Sequence, residues 1–160
     1  MDFDDALKNA ILRGQDRAGS IRDSEHQKQL SEDELKNRHS KYRLVLSDYI
    51  EQVAKKLADH FPGFDYETIY GERGWGGAVY RDDIRRGASG KGGSFYSRLE
   101  ITVRPRNEFN VVNIAGKGTI HNKESFNWNF FKDIADVSTE EFQAKVDSWI
   151  LLYAEKFASV

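Results

Sequence analysis

Tyr42, Val45, Leu46, Tyr49, Ile50, Val53, Leu57 and Phe61 recur at intervals of three and four residues, the spacing of one helical face, and the run stops at Pro62-Gly63. Ser31 and Glu34 precede it as an S-x-x-E capping box, so the pattern predicts a long amphipathic helix over about residues 32–60. Upstream, Phe3, Leu7 and Ile11, with Ala10 and Leu12, give a weaker helical pattern to about residue 17, which Gly14, Gly19 and Ser20 loosen. From 15 to 40 the only large apolar residues are Ile21, Leu30 and Leu35. So little apolar surface predicts an arm, 1–30, partly mobile or held by a partner, ahead of one domain over 31–160.

Beyond Gly63 the period becomes two. Segments near 65–71, 74–85, 94–104, 108–121 and 125–131 are rich in aromatic and β-branched residues and are separated by turn-forming clusters. In the third, Phe95, Ser97, Leu99, Ile101 and Val103 alternate with Tyr96, Arg98, Glu100, Thr102 and Arg104, which makes one face core and the other wet. In the last, Phe126, Trp128 and Phe130 oppose Asn127 and Asn129. A second capping box, Ser138 and Glu141, opens a closing helix whose stripe is Phe142, Val146, Trp149, Ile150, Tyr153 and Phe157. Together these predict an α+β fold: a four- to five-stranded antiparallel sheet, with a long N-terminal helix and a C-terminal helix on one face. The opposite face is left for solvent or a ligand.

Composition narrows the chemistry. The chain has 160 residues and no cysteine, which excludes disulfides, thiolate catalysis and thiolate metal sites. The N-terminus is acidic, and no run approaches a membrane span, so a cytoplasmic protein without membrane contact is expected. Net charge is −2, yet residues 71–107 carry eight Lys and Arg against four Asp and Glu. Any anion site must therefore be local.

The motifs inside that stretch are weak. The run from Gly87 to Ser94 has the glycines and the lysine of a phosphate loop, but Arg85 and Gly92 stand where a P-loop needs glycine and Ser or Thr, and the run leads into a strand. It reads as a hairpin connection. Gly116-Lys117-Gly118 reads as a bulge or a close packing contact. Trp75, in Gly71-Glu-Arg-Gly-Trp-Gly-Gly77, is either a ligand contact or a ring folded back onto the core.

The arginines matter more as a set. Arg98 and Arg104 share the wet face with Tyr96, and Arg81, Arg85 and Arg86 come from the neighbouring strand end. Guanidinium forks suit phosphate or carboxylate, although Asp82, Asp83 and Glu100 are near enough to pair with them. His26, His39, His60 and His121 have no metal-ligand spacing, and no cofactor or metal is expected. His121, near Asn122 and Glu124, is the one place where an acid/base role can be imagined.

The residues thus suggest a noncatalytic interaction domain. Its N-terminal helices would associate with a protein partner or a second copy, and Trp75, Arg81, Arg85, Arg86, Tyr96, Arg98 and Arg104 would make the contacts on the sheet. Binding of nucleic acid or a phosphate-bearing ligand through the basic hairpins is the alternative, and an enzyme using a histidine is a third.

Overall fold

A computed structural model describes the backbone of residues 2–86 and 92–160, and their side chains except those of 23–31, 85, 86 and 92. Helix α1 runs Phe3–His60 and stops where the sequence says it must, at Pro62 and Gly63, the latter at φ 105°. It starts much earlier than the capping box. Glycine inside a helix costs about 1 kcal/mol but removes no hydrogen bond. A capping serine has no orphan N–H groups to satisfy where the preceding turn is itself helical. Gly14, Gly19 and Ser31 therefore lie within α1, and the expected arm and long helix are one element. By packing, the chain divides into two compact units, Met1–Asn37 and Arg38–Val160.

In the first unit the apolar residues near the start of α1 stay in solvent. Phe3, Leu7 and Ile11 are 75%, 48% and 52% exposed.

In the second unit five strands, β1 (Asp65–Ile69), β2 (Trp75–Arg86), β3 (Gly92–Val103), β4 (Val111–Ile120) and β5 (Lys123–Asp133), form one sheet in that order, every neighbouring pair antiparallel. β3 sets the phase: Ser97, Leu99, Ile101 and Val103 are buried, as their alternation predicts. Directly opposed residues share a face. The pairs Trp75↔Val103, Val79↔Leu99 and Arg81↔Ser97 therefore place those β2 side chains on the core side. On β4 and β5 the same side carries Val112, Ile114, Phe126, Trp128 and Phe130.

Both helices cover this side. α2 (Thr139–Ala158) starts at Ser138, whose hydroxyl accepts from the Glu141 N–H at 3.4 Å, and it buries all six residues of its apolar stripe. Its Trp149 ring stacks on Trp128 at 5.4 Å, and Phe142 meets Phe130 edge-on at 4.9 Å. That approach needs Gly116, where a Cβ would stand 3.0 Å from both tryptophan rings. From α1, Leu46, Ile50, Ala54 and Leu57 are buried, and the Tyr49 hydroxyl donates to Asp147 on α2. Gly116-Lys117-Gly118 is a packing contact, and the β4–β5 register shifts beside it, at Gly118 and Thr119.

β4 and β5 are joined by His121 and Asn122, both at positive φ (48° and 71°), the signature of a type I′ turn. Asn122 fastens this turn to β3: its side-chain oxygen accepts from the Tyr96 N–H at 2.9 Å, and its amide donates to the Ser94 carbonyl at 2.8 Å. No helix among the described residues is long and apolar enough to cross a membrane.

Candidate anion-binding face

The side of the sheet away from the helices carries two different groups of arginine. Arg98, on β3, is spent on carboxylates: its Nη2 lies 2.6 Å from Glu67 and 3.2 Å from Glu100. Burial, the largest effect, pulls its pKa down, but hydrogen bonds to Glu67, Tyr96 and Glu100 outweigh it and the net shift is upward. Arg98 is a permanent cation with its charge already answered. Tyr96 lies beside it, 36% exposed.

Arg104 is different. It follows the end of β3, is exposed, and its Nη1 donates to the carbonyl of Arg73 at 3.3 Å. Arg73 stands in the β1–β2 turn between Gly71 (φ 116°) and Gly74 (φ 119°). Its guanidinium reaches Glu100 at 3.4 Å while staying 74% exposed. Lys117, exposed on β4, is the register partner of Glu100. These three cations and the one carboxylate, Glu100, surround a cavity of about 340 Å³, whose wall is completed by Ile69, Thr102 and Asn127 over a floor of Ala115 and Gly116. A neighbouring hollow of about 270 Å³, lined by Arg73, Arg98, Glu100, Lys117 and Thr119, extends it along the face. Small floor residues beneath long basic rims make the face concave. Three donors converging on one hollow suit a phosphate or carboxylate group.

The other expected contacts stand elsewhere. Arg81 faces the helix layer, with Nη2 2.9 Å from Asp83, Nη1 3.1 Å from the Pro62 carbonyl, and the guanidinium between the rings of Phe64 (5.5 Å) and Phe157 (5.2 Å). Trp75 is on the same side, its ring covered by the Arg43 guanidinium of α1 at 4.2 Å. Both are packing residues in this arrangement. The side chains of Arg85 and Arg86, and the glycine run from 87 to 91, lie outside the described residues. His121 has Asp83 at 4.0 Å and sits edge-on to Phe95 and Phe157. Arg81 already donates twice to that carboxylate, from Nε at 3.0 Å to each oxygen.

Sequence reasoning counted the Arg73 guanidinium in a glycine-rich loop able to contact a ligand but not among the expected contacts, and passed over Lys117. Each sits between glycines, and the glycines drew the reading towards turns and packing. Their convergence depends on strand register, which no local motif records. Among the described residues no group of three or more His, Cys, Asp or Glu could hold a metal. No protein-family model, curated protein or solved structure matches this chain.

Proposed function

We propose that the domain binds an anionic ligand of the phosphate class on its open sheet face, with Arg73, Arg104 and Lys117 as the contacts. One observation carries this reading: three cations and a single carboxylate surround one concave hollow of about 340 Å³. Arg98 belongs to the scaffold, because Glu67 and Glu100 answer its charge. The test is calorimetric titration of the full chain with inorganic polyphosphate, beside Arg104→Gln plus Lys117→Gln and beside Arg98→Gln. The first variant should lose at least tenfold in affinity at unchanged melting temperature. Equal affinity in the first variant and the parent would refute the assignment.

A second reading concerns α1. Phe3, Leu7 and Ile11 are exposed at i, i+4 and i+8, an apolar stripe that favours association with a second copy of the chain. Its readout is mass by light scattering.

A further inference from the structure

The open face that carries the cationic hollow also carries a second cavity of quite different chemistry. Towards the β3–β4 connection, Asn107, Phe109, Val111, Asn113, Asn129, Phe131 and Asp133 line a space of about 410 Å³. Phe109 is 70% exposed and Phe131 57%, although each is a large aromatic residue. Around them stand three side-chain amides and one carboxylate. The Oδ1 of Asn113 is buried and has no hydrogen-bond partner, an acceptor left unsatisfied at the cavity wall.

Strand geometry places the two cavities side by side on one face. Along β4, Asn113, Ala115 and Lys117 point to the same side of the sheet. Asn113 lines the aromatic cavity, and the other two line the cationic one. On β5, Asn129 and Asn127 divide the same way. The Arg104 N–H donates to the Asn113 carbonyl at 2.8 Å, which locks the two walls together. Four residue steps of strand lead from Asn113 to Lys117, about 13 Å at roughly 3.3 Å per residue.

The geometry points to a single-stranded nucleic acid lying across this face, its phosphates over Arg73, Arg104 and Lys117 and a base in the cavity of Phe109 and Phe131. The inference rests on the phosphate reading above and names the ligand that reading leaves open. Exposed aromatic rings beside a cationic groove are the two parts that single-strand recognition requires, one for base stacking and one for the backbone. Amides can pair with the base edge, and Asp133 can accept from an exocyclic amino group, as carboxylates do from cytosine. A phosphate ligand without a base would leave the aromatic cavity unused.

The experiment uses the full chain, with fluorescence anisotropy of a short mixed-sequence single-stranded oligonucleotide, an abasic strand of equal length, and inorganic polyphosphate as competitor. Phe109→Ala plus Phe131→Ala removes two exposed rings, and an unchanged melting temperature confirms an intact fold. The expected result is that the oligonucleotide binds more tightly than the abasic strand, and that the double variant weakens it about tenfold or more while the abasic strand and polyphosphate bind as before. Equal binding of both strands, unchanged in the variant, overturns the base cavity and leaves the phosphate site standing. Failure of all three probes to bind overturns both. Loss of binding to a neutral oligosaccharide in the double variant, with no oligonucleotide binding in the parent, also overturns it in favour of a sugar ligand.

Discussion

Arg104 donates from its guanidinium to the main-chain carbonyl of Arg73, 3.3 Å away and 31 residues earlier in the chain. The bond holds the β1–β2 turn and the chain leaving β3 against each other at one end of the sheet, and fixes both cations on one rim of one hollow. Like charges so placed repel unless an anion lies between them. The phosphate proposal rests on this arrangement, in which Glu100 pairs with Arg73 at 3.4 Å.

Arg98 and Arg104 share a sheet face but differ in role. Arg98→Ala leaves Glu67 and Glu100 facing each other without their common cation, so stability should fall by about 1 kcal/mol. Arg104→Ala should change stability by less than about 0.5 kcal/mol. Denaturant midpoints of the two variants check this, and equal losses would show that Arg98 is not the scaffold residue described.

Gly116 lets α2 lie against β4. A methyl group there meets Trp128 and Trp149 at 3.0 Å. Gly116→Ala should destabilise the domain by about 1–3 kcal/mol through overpacking. Thermal melting reads this directly, and an unchanged midpoint would contradict the packing.

His39 is 4% exposed on α1, and its Nε2 has no hydrogen-bond partner. Burial, then the cations Arg106 and Arg43, lower its pKa below the ordinary 6.5, against an upward pull from a hydrogen bond to the Arg104 backbone. A folded-state pKa below the unfolded one means that the neutral ring contributes fully above about pH 6.5 and that this contribution is lost as pH falls. Denaturant midpoints should therefore drop on the acid side of 6.5, and His39→Gln should flatten that drop. The same pH profile in variant and parent would sink the idea.

The stripe on α1 predicts self-association. Leu7→Glu plus Ile11→Glu should convert an oligomer to a monomer in light scattering without altering the melting of the sheet domain. A parent chain that is already monomeric at all concentrations would remove the second reading.

Much of this fold was legible in residues. The six buried side chains of α2 are its apolar stripe, and the alternation of β3 sorted core from open face correctly. What was not legible is what register decides. β2 begins Trp-Gly-Gly-Ala, which has too few contrasting side chains to show its phase. Only its pairing with β3 puts Trp75 and Arg81 under the helices and leaves Ile84 83% exposed. The start of α1 was misread because a capping box and two glycines express local preference, and local preference does not end a helix that continues through them. Arg73, Arg104 and Lys117 come from three separate turns and strands, so their meeting could not be seen before the sheet was assembled.

The most direct measurement is the salt dependence of polyphosphate binding by the full chain. If Arg73, Arg104 and Lys117 hold the backbone of a polyanion, three contacts give a slope of log affinity against log salt of about −2. Arg104→Gln plus Lys117→Gln should bring that slope to about −0.7, the one contact left at Arg73. Binding that ignores both salt and the substitutions, or no binding at low salt, would contradict an anion site on this face.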